Sequence, residues 1–357
     1  RRVLFRSISV TFHVRRGLFA TTPVRAVRGL SLTVERGEHV AIVGESGSGK
    51  TTFGRALLRL QPTSAGRILV DGEPIDGLTG DALLRFRRRV GAVFQDPYAS
   101  LSPYMRVRDI VAEGLVIHGT VPAAEHEARV HAALESVRLS PASEIADRFP
   151  HTMSGGQRQR VAIARAMVLE PEILVADEPV SMVDASSRVE ILSLLRELQA
   201  TRGLTIVSIT HDLASARHSA DRIAVMYAGR IVERAPTAVL FRETRHPYPE
   251  ALMKSIPRLD QPSHTRLDAI SGRPPDLVNL PKGCRFAARC PYAQPKCVAE
   301  DPELMPGDSP EHLHRCFFPV GTPAGDDALT RNLEAGVNAT GLTVRRHGDR
   351  IATGRLA

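Results

Sequence analysis

One octapeptide constrains this chain more than anything else in it. Gly44-Glu45-Ser46-Gly47-Ser48-Gly49-Lys50-Thr51 fits G-x-x-x-x-G-K-[ST]. The apolar run Val40-Ala41-Ile42-Val43 reads as a buried strand entering it, and Thr51 to Leu60, opening on Thr51-Thr52, reads as the helix leaving it. That context separates the motif from a chance glycine-rich turn. Glycines at 44, 47 and 49 let the backbone curl until successive N–H groups point at phosphate oxygens. The following helix adds the partial positive charge of its N-terminus. Lys50 is placed to reach β- and γ-phosphates, and the Thr51 hydroxyl to ligate Mg²⁺. The segment Gly44 to Thr52 is therefore read as a nucleotide site.

A second half of that site is legible downstream. Ile173-Leu174-Val175-Ala176 is a buried-strand pattern that ends in Asp177-Glu178. A carboxylate at a strand end can hold Mg²⁺, which assigns Asp177, and Glu178 one residue on is placed to polarise an attacking water. Ser154-Gly155-Gly156-Gln157 precedes a helical pattern. Its hydroxyl, glycine N–H groups and helix start form a second anion cradle, although an ordinary serine N-cap would look the same.

The 357 residues allow two or three domains. The net charge of +8 comes from scattered arginines with few aromatics, which reads as a solvated basic surface and not a nucleic-acid site. No stretch approaches 18 uninterrupted apolar residues and no secretory signal is present, so a cytosolic protein is expected, with its four cysteines not in disulfides. Residues 1–7 (RRVLFRS) fit no element and read as an adapter-derived scar, to be excluded from the fold. Ile8 to Val14 and Val24 to Val34 alternate as half-exposed strands, and strands and helices then alternate to Glu233, the signature of a parallel sheet with crossovers. Between about 96 and 160 the pattern turns helical. From 245 the chain is proline-rich and holds every cysteine, so 245–320 is expected to be a separate unit, and 321–357 a loosely ordered tail. Ala339 to Arg346 faintly echoes Ser9 to Arg16, as a truncated second copy would.

Taken together these segments resemble the ATPase subunits of ABC transporters. Ser154-Gly155-Gly156-Gln157-Arg158-Gln159-Arg160 is similar to the family's signature, Gln95 to its Q-loop glutamine, Asp177-Glu178-Pro179 to its Walker B, Asp184 to its D-loop and His211 to its switch histidine, all in the family's order. Met153 stands where leucine is usual, and Ser181-Met182-Val183-Asp184 replaces Ser-Ala-Leu-Asp. The resemblance implies a P-loop, RecA-like α/β core over 8–244, with an antiparallel β subdomain, an inserted helical subdomain and a small cysteine-containing extension. It implies catalytic roles for Glu178, His211 and Gln95, and Mg²⁺ held through Thr51, Gln95 and Asp177. ATP would lie on Gly44 to Thr52 of one subunit and on the signature of another. Phe19 or Phe12 would stack on adenine.

Three features resemble the dipeptide/oligopeptide importer ATPases in particular. They are Gln95-Asp96-Pro97-Tyr98-Ala99-Ser100-Leu101-Ser102-Pro103, His246-Pro247-Tyr248, and the cysteines Cys284, Cys290, Cys297 and Cys316, spaced C-x5-C-x6-C-x18-C. In that family this region is associated with a 4Fe–4S cluster, which four thiolates suffice to hold. Structural zinc and free thiols are the alternatives, and the absence of a Cys-x-x-Cys pair is atypical for zinc. The implied partners are a second, different ATPase subunit, two transmembrane permeases and an extracytoplasmic solute-binding protein, with the chain on the cytoplasmic face of the membrane. The competing reading is an ABC ATPase without a permease, serving translation or DNA maintenance.

Overall fold

The computed structural model describes residues 2–16, 20–256, 270 and 272–345. The chain divides into two compact units, Arg1–Arg230 and Ile231–Ala357.

In the first unit, strands β1 (Val3–Arg16), β2 (Ala20–Val34), β4 (Ala65–Val70) and β5 (Glu73–Pro74) form an antiparallel sheet in the order β2-β1-β4-β5. A second, parallel sheet runs β9-β3-β8-β7-β6, from β3 (His39–Val43), β6 (Val90–Val93), β7 (Ile173–Asp177), β8 (Thr205–Thr210) and β9 (Arg222–Tyr227). Strands β3, β7 and β8 are buried at every position, which is why Val40–Val43 and Ile173–Ala176 read as continuous apolar runs, while β8 also buries Thr205, Ser208 and Thr210. Helices α1 (Lys50–Leu57), α2 (Gly80–Arg88), α8 (Ala185–Arg202) and α9 (Leu213–Ser219) connect these strands. Between β6 and β7 lie α3 (Pro97–Ser100), α4 (Val107–His118), α5 (His126–Ser136), α6 (Ala142–Ala146) and α7 (Gly155–Met167). Val107, Ile110, Val111 and Leu115 of α4 join Val130 and Leu134 of α5 and Val161 and Ile163 of α7 in one apolar cluster.

The N-terminal segment expected to lie outside the fold is part of it. β1 starts at Val3, and Val3, Phe5, Ile8 and Val10 are all buried, with the Phe5 ring 4.4 Å from that of Phe53 on α1. Arg2 pairs with Asp71 at 2.6 Å and with Glu172. Periodicity at the head of a basic heptapeptide is too short to show this, because the pairing partner Ile68–Val70 lies far along the chain.

The second unit holds β10 (Arg230–Pro236), β12 (Leu313–His314) and β11 (Met305–Pro306), paired in the order β11-β12-β10, with α10 (Thr237–Arg242), α11 (Pro247–Lys254), α12 (Pro295–Ala299) and α13 (Pro323–Ala335). Its polar centre is Glu233, fully buried, which accepts hydrogen bonds from the backbone N–H groups of Arg245 (2.8 Å) and His246 (2.7 Å) and from His312 Nε2 (2.7 Å). Burial raises its carboxyl pKa, and the three donors oppose that rise.

The described part of the tail is tied into the second unit by hydrogen bonds. Asn332 Nδ2 donates to Pro291 O (2.7 Å) and Ala293 O (3.1 Å), and Asn338 Nδ2 to Ala287 O (3.3 Å) and Cys290 O (2.8 Å). Both asparagines are buried. The segment that echoes β1 folds instead as a turn closed by a Val337–Thr343 bridge, and its last residue, with the rest of 346–357, lies outside the described residues. Asn332→Ala would strip Pro291 O of its Asn332 donor and leave Ala293 O with only Ala339 N (3.2 Å) and Gln294 Nε2 (3.4 Å). It is expected to lower the local opening free energy around Pro291–Gln294 by about 2 kcal/mol, read from amide hydrogen exchange. Unchanged exchange would mean those carbonyls are held by something else. No described helix is long and apolar enough to cross a membrane.

Candidate functional site

The glycine loop is set between β3 and α1, and its backbone is walled in from two sides. A Cβ on Gly44 would stand 2.1 Å from Met226 O, and one on Gly49 2.2 Å from Ala26 O. Gly49 also has φ +98°, where side chains are strained. The wall is completed by Gly229 N, which donates to Ser48 O at 2.9 Å. Ala26, Met226 and Gly229 thus shape the loop, and the sequence motif alone did not point to them. The only hint was the Ala228-Gly229 turn, whose glycine has φ +83°.

Lys50 is buried and its Nζ donates to Gly44 O (2.7 Å) and Glu45 O (2.9 Å). Burial lowers its pKa, and Glu178 and Asp177 work against that shift. Ser46 and Gly47 are exposed at the loop tip, Ser48 is buried, and Thr51 and Thr52 are half-buried in the first turn of α1. Thr51 Oγ1 lies 3.4 Å from Asp177 Oδ1. Asp177 is buried at the end of β7, and burial raises its pKa ahead of the repulsion from Glu178. A hydroxyl and a carboxylate converging in this way suit a hard divalent cation whose other ligands are phosphate oxygens and water.

Glu178 is the best-positioned group of the set. Its φ of +49° turns it out of β7, and its N–H donates to Ile209 O at 2.8 Å on the neighbouring strand. Its carboxylate accepts from His211 Nδ1 at 2.9 Å on one oxygen and from Gln95 Nε2 at 3.5 Å on the other. Gln95, Glu178 and His211, far apart in sequence, are therefore brought together.

Ser154 begins α7 with a reciprocal cap. Its side chain accepts from Gln157 N (3.2 Å), and Gln157 Oε1 accepts from Ser154 N (3.1 Å). Gly155 and Gly156 lie against the start of α8, where a Cβ would meet Met182 O at 3.4 Å and Ser187 Oγ at 2.7 Å respectively. Asp184 caps α8 by accepting from Ser187 N at 2.9 Å. The hydroxyls of Ser186 and Ser187 also bond it, and the Ser186 bond leads in holding its carboxyl well below the usual range. Of the two aromatics expected near adenine, Phe12 is half-buried in β1 and Phe19 lies outside the described residues.

The cysteine expectation is overturned. Cys284, Cys290, Cys297 and Cys316 are free and line one small apolar pocket with Phe286, Phe317 and Phe318. Among the described residues no group of three or more His, Cys, Asp or Glu side chains is placed to hold a metal ion. Neither a 4Fe–4S cluster nor zinc is supported there. The physical reason is solvation: burial pushes the Cys284 thiol up to about 11 and those of Cys290, Cys297 and Cys316 up as well, so the neutral S–H is favoured over the thiolate that a metal needs.

The chain is similar to known proteins over two separate stretches. Residues 27–181 match the family model described as ABC transporter, and residues 232–297 match that described as oligopeptide/dipeptide transporter, C-terminal region. A Brucella ovis protein named for peptide import and ATP binding is 43% identical over 313 residues, covering 83% of this chain and 98% of that protein. A Bacillus subtilis protein named for oligopeptide transport and ATP binding is 43% identical over 287 residues, covering 79% and 86%. The dimeric structure of a bacterial ABC transporter cassette is 30% identical with a TM-score of 0.59, covering 66% of this chain and 98% of that one. A Clostridium perfringens component of an ABC transporter complex is 32% identical with the same TM-score, covering 68% and 90%.

Proposed function

Because the chain belongs to the ABC transporter ATP-binding subunits of the peptide-import type, we propose that its nucleotide site works through Lys50, Gln95, Asp177, Glu178 and His211. As such a subunit it binds and hydrolyses ATP at the cytoplasmic face of the membrane. The competing reading as a permease-free ABC ATPase loses its ground to the match at residues 232–297.

The observation that carries the residue assignment is the Gln95–Glu178–His211 cluster beside Lys50 and Asp177. Gly44 to Thr52 cradle the phosphates with backbone N–H groups, and Lys50 draws the β- and γ-phosphate oxygens. Thr51 and Asp177 would hold Mg²⁺, which supplies neutralisation of phosphate charge. Glu178 takes the proton of the attacking water, and His211 fixes the carboxylate that does so. Gln95, at the entrance to the helical region, senses the same carboxylate.

The signature cradle at Ser154 to Gln157 serves the ATP of a facing subunit, and Asp184 lies at that junction. Two anion cradles on separate helices, α1 and α7, favour a head-to-tail pair. The partners are a second, different ATPase subunit, two permeases that carry a peptide or related solute, and a solute-binding protein feeding them. His211→Ala should lower ATP turnover by about 100-fold while nucleotide binding is kept, as measured by steady-state hydrolysis alongside equilibrium binding. Undiminished turnover would remove His211 from the assignment.

A further inference from the structure

We infer that Tyr98 and Arg158 form a positioning pair that ties the nucleotide-facing Gln95 to the signature cradle of the same chain. The inference rests on the residue assignment just given, and extends it to two side chains outside both Gly44–Thr52 and Ser154–Gln157.

The connection can be followed atom by atom. Gln95 contacts the Glu178 carboxylate. The next residue, Asp96, caps α3, its Oδ1 accepting from Tyr98 N (2.8 Å) and Ala99 N (3.1 Å). This bidentate cap fixes the backbone of Tyr98 relative to that of Gln95, so displacement of one is passed to the other. The Tyr98 ring in turn carries the Arg158 guanidinium, whose carbon lies 3.9 Å from the ring centroid. That is a close cation–π contact. Arg158 is the residue after Gln157, in the first turn of α7, and its N–H donates to Ser154 O at 3.0 Å. The Tyr98 hydroxyl reaches the cradle itself, 3.9 Å from where a Gly155 Cβ would stand. A second tie runs parallel to the first: Arg165 Nη1, two turns further along α7, donates to Ser100 O at 2.6 Å. Leu101, just beyond, is buried in the apolar cluster shared with α7.

A tyrosine that is half exposed and serves only as surface would not be expected to hold its ring under an arginine of the signature helix. The arrangement makes α3 and the first turn of α7 one rigid piece, anchored at Gln95 on one end and at Ser154–Gln157 on the other. A change at the γ-phosphate, felt by Gln95 through Glu178, is then delivered to the cradle that faces the partner subunit.

The test uses the full chain carrying Glu178→Gln, at concentrations where light scattering finds it monomeric. Hydrogen exchange of the Gly155–Gln157 amides is compared with Mg-ATP and with Mg-ADP bound. The expected result is a difference of several-fold between the two nucleotides. Tyr98→Ala and Arg158→Met should each cut it by at least half, the remainder carried by the Arg165–Ser100 tie, and the double variant should add nothing further. Tyr98→Phe, which keeps the ring, should retain it, and ATP affinity should be unchanged throughout. A nucleotide-dependent difference that persists undiminished in Tyr98→Ala overturns the pair's role, as does its absence in the parent chain with ATP bound. Failure of the parent to bind ATP at all would instead strike the residue assignment beneath it.

Discussion

Glu178→Gln is expected to cut the ATP turnover number by about a thousand-fold while leaving ATP binding close to that of the unmodified chain. Glutamine matches glutamate in shape: its side-chain oxygen can still accept from His211 Nδ1, its NH2 can donate to Gln95 Oε1 once that amide turns over, and the φ of +49° and the bond to Ile209 O are untouched. What it cannot do is take a proton from water. Loss of turnover with binding retained would therefore isolate basicity from architecture. The measurement is single-turnover hydrolysis alongside nucleotide titration of the same preparation. Glu178→Ala is the useful contrast, because it also leaves Gln95 and His211 without their shared acceptor and so disturbs the site's shape. Turnover surviving in Glu178→Gln would assign the base elsewhere.

The second large effect is expected at Gly49. Alanine there would place a Cβ 2.2 Å from Ala26 O and 2.9 Å from Met226 Cε, at a φ of +98°. The methionine methyl can swing aside, but the carbonyl is part of β2 and cannot. The loop must shift, with a cost of about 3 kcal/mol in the stability of the first unit and a loss of ATP affinity of about 100-fold or more. Gly47→Ala separates the contributions. Gly47 also has a positive φ, +79°, but nothing stands within 4 Å of its would-be Cβ. Only the backbone term of about 1 kcal/mol should apply there. Equal effects at the two positions, by thermal melting and ATP titration, would rule out the Ala26 wall as the cause.

Much of the first unit could be read from residues alone. Strands β3 and β7 are fully buried and announce themselves as apolar runs, and the glycine loop between β3 and α1 has a pattern whose chemistry is explicit. The features that escaped are those made by contacts distant in sequence or by polar groups. Val3 and Phe5 are core residues only because β2 and β4 pair with them on either side. The tail is held by Asn332 and Asn338 donating to backbone carbonyls, and no hydrophobic period records such bonds. Glu233 looks like any strand glutamate until Arg245, His246 and His312 gather on it. The cysteines show the opposite error. Their number and spacing suggested ligands, whereas their burial among phenylalanines favours neutral thiols.

The carbonyl wall behind the glycine loop also limits where this chain can change length. Successive carbonyls of a strand point to opposite sides and are spaced by about 3.3 Å. A single inserted residue in β2 ahead of Ala26, or in β9 ahead of Met226, would swing the walling oxygen away from the loop and bring the next position round in its place. Both strands are therefore intolerant of one-residue insertions or deletions ahead of these positions, whatever side chain is inserted. In the walled segment it is the count of residues, more than their identity, that the nucleotide site reads.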